Sequence, residues 1–384
     1  MTHPLSTRSA SLRLAFGGLA AMAVGIGIGR FVYTPILPAM IVALGLSKSV
    51  SGLIASANFL GYLAGAMLAA RASLPGPPRA WLPVALAVSA ATTLAMGLTT
   101  SVAGFIVLRF LGGVASALAL ILSSAVVMAG LAEHGRPRLG ALHFAGVGVG
   151  IFVSAAIVAV LQAAGADWAV LWLWVGVVGV AGAAFVIWAL PAPAAPAMPV
   201  PVRPGAARVD PALRRMVVAY GLFGFGYVIT ATFLVTIVRE TAAVRALESV
   251  VWVLVGLGAA PSVVLWSALA WRIGTARSYA AAAVTEAMAV LISLMWPDPV
   301  GLCVAAILFG GTFMGLTALG LQRARELAAG DPRRAMAAMT VAFGVGQIVG
   351  PLLAGTGFDL LGSFTPALLV AAVALVVAAW LAGR

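Results

Sequence analysis

The chain has 384 residues, 63% of them hydrophobic and only 8% charged, with a mean hydropathy of +1.14. A water-soluble surface needs about a quarter of residues charged, so soluble enzymes and nucleic-acid binders are excluded. The net charge of +12 is read instead as arginines held in the cytoplasmic loops of a membrane protein, and the single cysteine, Cys303, offers neither an internal disulfide nor a metal site.

A membrane-crossing helix needs about 20 mostly apolar residues. Twelve such stretches are predicted, at about 14–43, 51–70, 80–99, 102–130, 139–164, 168–190, 214–239, 246–271, 276–296, 300–324, 335–358 and 363–383. They are long and unalternated, which fits helices and not barrel strands. Arg8 and Arg13 precede the first stretch as they would in a secretory signal, but the apolar run continues through Arg30 to Pro38, so a retained first helix is expected. With the N-terminus inside, only Lys48, Arg239 and Arg245 fall in outside loops, and Arg30 and Arg109 fall within spans. All other basic residues lie on the inner side, which supports twelve spans and cytoplasmic termini.

The segment from Pro191 to Pro211 reads PAPAAPAMPVPVRPGAARVDP. Proline at this density excludes a helix interior and gives an extended spacer. The predicted organisation is an N-terminal six-helix bundle over 1–190, a cytoplasmic linker over 191–213 and a C-terminal six-helix bundle over 214–384. The halves echo each other. Gly27-Ile28-Gly29-Arg30-Phe31 aligns with Gly224-Phe225-Gly226-Tyr227-Val228, and Phe110-Leu111-Gly112-Gly113 aligns with Leu308-Phe309-Gly310-Gly311. Gly148-Val149-Gly150 aligns with Gly344-Val345-Gly346, and Leu68-Ala69-Ala70-Arg71 with Leu269-Ala270-Trp271-Arg272. These matches at nearly one offset predict an all-α integral membrane fold of two pseudo-symmetric six-helix bundles. In the second pairing, Arg109 falls opposite Ile307.

On these features the chain resembles the major facilitator superfamily along essentially its whole length. Gly27 through Pro38 (GIGRFVYTPILP) resembles the first-helix signature of the bacterial YbfB/YjiJ-like transporters, and Arg109-Phe110-Leu111-Gly112-Gly113 is similar to the superfamily's fourth-helix Arg-x-x-x-Gly pattern. Gly346-Gln347-Ile348-Val349-Gly350-Pro351 also has the family's look. The loop after the second helix departs from it: Gly65 and Arg71 are kept, but Ala70 stands where the resemblance calls for an acid, and Trp271-Arg272-Ile273-Gly274 lacks one as well. The resemblance implies a secondary transporter of the bacterial inner membrane.

Charges inside spans are costly and mark cavities or partners. Arg30 offers fixed donors to an anionic or hydrogen-bonding solute. Tyr33 and Thr34, at i+3 and i+4, are expected on its face, with Pro35 and Pro38 breaking the helix. Arg109 heads a stripe with Gly113 and Ala117 and is expected in substrate contact, in coupling or in a structural role pairing helix ends. His143 shares a face with Gly146, Gly150 and Ser154, either relaying protons or bonding a neighbouring helix. Glu286 is the one acid near the centre of a span and could carry a proton, pair with a buried arginine or support the bundle. Asn58 with Tyr62, Tyr227 with Thr230, and Gln347 could line a central cavity or join helices. The Gly-x-x-x-Gly pairs Gly61/Gly65, Gly146/Gly150, Gly311/Gly315 and Gly346/Gly350 are read as packing seams.

No Walker loop, hydrolytic triad or metal constellation is visible, so no enzyme and no cofactor are expected. The expected activity is alternating-access transport of a small polar or anionic solute, coupled to protons, by a monomer in the lipid bilayer with no nucleic-acid partner. Export of amphipathic or toxic compounds is the alternative. Gly150 is followed by Ile151, without the Gly-Pro pairing that resembles antiporter signatures, which argues against export.

Overall fold

A computed structural model describes residues 4–69, 78–190, 210–328 and 332–384. Its helices are α1 (Pro4–Met22), α2 (Tyr33–Leu44), α3 (Lys48–Ala69), α4 (Pro78–Met96), α5 (Val102–Glu133), α6 (Gly140–Ala163), α7 (Trp168–Ala189), α8 (Pro211–Glu240), α9 (Glu248–Ile273), α10 (Thr275–Met295), α11 (Pro299–Leu327), α12 (Pro332–Leu361) and α13 (Thr365–Gly383). Among the described residues, eleven helical segments are long and apolar enough to cross a bilayer, and the shorter apolar stretch Ala80–Met96 supplies the remaining span. Helix α1, a π-helical turn over Ala23–Ile28 and α2 together make the first span.

Helix starts follow local chemistry. The Asp167 carboxylate accepts from the Val170 N–H at 2.9 Å and caps α7. Asp210 and Asp298 do the same for α8 and α11, each followed by a proline in the first turn, where the missing N–H would be unpaired anyway. The α8 start therefore lies at Pro211, inside the predicted linker. The rest of that linker, 191–209, lies outside the described residues, as do Ala70 and Arg71.

The two halves repeat one pattern of helix pairing. In the N-terminal half α3 packs on α5, α4 on α5 and α7, and α1 on α6 and α7. In the C-terminal half α9 packs on α11, α10 on α11 and α13, and α8 on α12 and α13, which is the same set shifted by six spans. The correspondence reaches single glycines. A Cβ on Gly113 would lie 2.0 Å from the Asn58 carbonyl oxygen, and one on Gly310 would lie 2.1 Å from that of Val255. A Cβ on Gly61 would meet the Phe110 oxygen at 2.0 Å, and one on Gly258 the Ile307 oxygen at 2.6 Å. Each residue here matches its counterpart at one offset, the 197 positions that also separate Thr34 from Ala231.

Two alignments from the sequence are corrected by these contacts. Gly113 pairs with Gly310, not Gly311, so Arg109 stands opposite Ala306 and not Ile307. Gly65 meets the Val114 oxygen as Ser262 meets that of Gly311, so the match between Leu68 and Leu269 is one helical turn out of register.

Between the halves, α3 runs along α12, α6 along α9, and α2 meets α8. These seams are symmetry-related too: Gly148 approaches the Ala260 backbone as Gly344 approaches Leu63. Glycine removes the side-chain standoff, and in lipid such close van der Waals contact is a main source of helix association. The face that carries the C-terminus, where Arg215 donates to the Arg384 carbonyl at 3.4 Å, is called the terminal face. On the opposite, far face, the α2–α3 turn passes through Gly45 at φ +63°, and the halves are tied together. Lys48 Nζ lies 2.5 Å from Glu240, and the Asp359 carboxylate accepts from the Lys48 and Ser49 N–H groups at 3.1 and 2.9 Å. Deeper in, the Ser56 hydroxyl donates to the Ile348 carbonyl at 2.8 Å.

Candidate substrate site between the two halves

The first span is not one continuous α-helix. After the π-helical turn the chain passes through a non-helical stretch over Gly29–Val32 and resumes as α2 at Tyr33. This break precedes both prolines, contrary to the sequence expectation: Pro35 sits in the first turn of α2, and Pro38 is accommodated inside it. Past this break Arg30, Tyr33 and Thr34 take different partners. Tyr33 donates to the Ser51 carbonyl at 2.9 Å, within the N-terminal half. Thr34 crosses to the other half and donates to the Ala231 carbonyl at 2.5 Å. Arg30 points between the halves.

The Arg30 side chain is 6% exposed, and its Nε and Nη2 have no hydrogen-bond partner. Its guanidinium carbon lies 4.6 Å from the ring centres of both Phe59 and Tyr62. Aromatic faces attract a cation but leave its N–H groups unsatisfied. Tyr62, Tyr220 and Tyr227 lie within electrostatic reach of this charge, the last two from α8 of the opposite half. The repeat alignment places Tyr227 at the position of Arg30.

Arg109 has a different task. Its Nη1 and Nη2 donate to the carbonyls of Gly29 and Arg30 at 3.1 and 3.0 Å. Those groups lie in the broken stretch, where carbonyls lack regular helical donors. Asn58 Nδ2 in turn donates to the Arg109 carbonyl at 2.9 Å, and the Tyr33 ring lies 5.0 Å from the guanidinium carbon. Arg109, Asn58 and Tyr33 thus form a brace behind Arg30, within the N-terminal half.

The opposite wall is aromatic. The Tyr227 ring is within 3° of parallel to Phe313 and within 4° of Phe343, at centroid distances of 5.9 and 5.7 Å. Phe31 meets Phe313 edge-on at 5.6 Å and lies 6.4 Å from Trp252. Gln347 Nε2 donates to the Tyr227 hydroxyl, and its Oε1 is fully buried without a partner. The Thr230 hydroxyl, one turn along α8, is also buried and unpartnered.

The remaining candidates lie away from this cluster. His143 Nδ1 donates to the Gly18 carbonyl and its Nε2 accepts from the Ser124 hydroxyl, both at 2.9 Å. A carbonyl can only accept, so the proton is on Nδ1 and both nitrogens are engaged. His143 therefore joins α6 to α1 and α5. Glu286 sits behind Tyr227 on α10, fully buried beside Thr312, with neither carboxyl oxygen hydrogen-bonded. Among the described residues, no basic side chain pairs with it.

The sequence singles out Arg30, Tyr62, Tyr227 and Gln347, which the structure brings together. It does not single out Phe31, Phe59, Trp252, Phe313 and Phe343. A phenylalanine in an apolar helix carries no signal of which way it faces. The one usable clue is the repeat itself, which sets Tyr227 opposite Arg30 and marks α8 as the opposing wall.

The family model described as "Uncharacterised MFS-type transporter YbfB" matches residues 22–383. Among curated proteins no sequence matches. Two solved structures of the nucleoside transporter NupG superpose over 97% of this chain. One, of a point mutant, has a TM-score of 0.73 and 14% identity with 98% of its chain covered, and the other has 0.72 and 14% with 97% covered. At that identity the likeness concerns the fold. The chain is thus a multi-pass membrane protein and a secondary transporter, and it belongs to the YbfB-like family of the major facilitator superfamily.

Proposed function

We propose that the protein carries a small polar or anionic solute across the bacterial inner membrane by alternating access at Arg30, driven by protons. The observation that carries this reading is the buried guanidinium between the halves with two nitrogens unpartnered. A buried charge without hydrogen bonds is costly, and an anionic solute would relieve it. The nucleosides named for NupG are uncharged and would not neutralise the guanidinium, which favours an anion here.

In this reading the termini are cytoplasmic and the far face is periplasmic. The ties at Thr34, Lys48, Ser49 and Ser56 then close the periplasmic side, and transport requires their rupture as the halves rock. Glu286 is the proposed proton carrier, because a lone carboxyl in a dry interior is stable only when neutral and could ionise on hydration. The monomer is taken as the working unit. Solute uptake by reconstituted vesicles with and without an imposed proton gradient tests the coupling. Equal uptake in both would remove protons from the reading, and solute accumulation against the opposite gradient would favour the exporter.

A further inference from the structure

We propose that the solute taken by this site is a planar aromatic carboxylate whose ring carries a hydrogen-bond donor. The inference rests on the carrier reading and deepens it.

The anionic pole follows from Arg30. A guanidinium presents parallel N–H groups that match a carboxylate in two-point geometry. Its Nε and Nη2 are both unpartnered, so among the described residues no carboxylate bonds them. The Phe59 and Tyr62 rings, each centred 4.6 Å from its guanidinium carbon, attract the charge but leave Nε and Nη2 for a ligand.

The flat body follows from the surroundings. Beside Arg30, Phe31 meets Trp252 and Phe313 of the other half, where the Tyr227 and Phe313 rings stack nearly parallel on each other. Rings of this kind favour offset stacking or edge contact with another ring. A sugar or polyol would need a partner for each hydroxyl, and the wall offers few.

The donor pole follows from Gln347. Its Oε1 is buried and unsatisfied, while its Nε2 is held by Tyr227. An unmet buried acceptor is penalised until a donor arrives. Tyr227 connects the poles: it bonds Gln347, lies within reach of the Arg30 charge and occupies the repeat position of Arg30. Two-fold folding has therefore placed a cation in one half and an amide acceptor, fixed through a phenol, in the other.

The test is equilibrium binding to the purified full-length protein. The probes are benzoate, para-aminobenzoate, cyclohexanecarboxylate and benzamide. Benzoate should bind about ten-fold or more tightly than either the non-planar acid or the uncharged amide. Para-aminobenzoate should bind more tightly than benzoate, and Q347L should abolish that difference. R30Q should weaken the carboxylates by about ten- to hundred-fold, far more than benzamide, with R30K recovering part of the loss. Equal binding of benzoate and cyclohexanecarboxylate, or of benzoate and benzamide, by the wild-type protein overturns the substrate class while the carrier reading stands. If R30Q, shown folded by its melting profile, binds every probe like the wild type, Arg30 is no binding residue and the carrier reading of this site falls as well.

Discussion

The Thr34 hydroxyl donates to the Ala231 carbonyl, and these two residues occupy the same place in the two repeats, 197 positions apart. Equivalent positions of a two-fold pair can touch only where the axis passes between them. The contact therefore marks the pseudo-symmetry axis as it runs through the first and seventh spans, on the far side of Arg30. T34V keeps the shape and removes the bond. It should weaken far-face closure by about 1 kcal/mol, roughly a five-fold shift between states. Spin-label distances across the far face should report a larger open population, and an unchanged distribution would show that the bond contributes nothing to closure.

Arg109 is expected to act through Arg30. R109Q leaves the Gly29 and Arg30 carbonyls buried without their charged donors and should lower stability by roughly 2–4 kcal/mol. R109K should recover part of that. The thermal midpoint measures the first effect. Solute affinity, measured in added lipid that keeps the variant folded, should fall less than for R30Q.

E286Q keeps the shape of the buried carboxyl and removes its ability to lose a proton. Gradient-driven accumulation should be abolished, while solute exchange between two sides at equal pH persists. If E286Q still accumulates solute under a proton gradient, the coupling group lies elsewhere.

Glycine contacts supply a paired control. A Cβ on Gly346 would sit 2.2 Å from the Gly221 carbonyl oxygen, whereas one on Gly357 meets nothing within 4 Å. G346A should force α12 away from α8 and cost about 1–3 kcal/mol. G357A, on the same helix, should leave the melting midpoint unchanged or slightly raised.

Asp298 gives a pH signature. The Gly301 N–H, and then the Trp296 indole, hold its carboxyl below the ordinary value of 3.8. A lowered folded-state value means that the stabilisation is complete above 3.8 and disappears as pH falls through the folded value. D298N should therefore be less stable than the wild type at neutral pH, with the difference vanishing in strong acid. Melting curves across that range test the sign.

The bundle was legible because lipid forces a simple code: length, apolarity and arginine placement suffice to count spans. The repeat was legible at Gly27, Gly150, Gly224 and Gly346, whose contacts are backbone approaches that tolerate no side chain. Its register was less so. Gly112 and Gly113 adjoin, as do Gly310 and Gly311, and only packing shows which member of each pair faces the neighbouring helix. At the site, Arg30 stood out because a charge in lipid needs a reason. Its direction did not, since the π-helical turn and the helix break beside it carry no signal in the sequence. Arg109 was equally conspicuous, yet its carbonyl partners exist only because of that break. The aromatic wall left no trace, for phenylalanine is as much at home against lipid as inside.

Lys48 is the chain's single lysine, and its side chain is 11% exposed in its pairing with Glu240. Apart from the N-terminal amine, it is the one primary amine in this sequence. A membrane-impermeant amine-directed label would therefore react at one internal position, and mostly when that face parts. The unmodified protein thus carries its own chemical stopwatch for opening, read by mass spectrometry without introducing a cysteine or a probe.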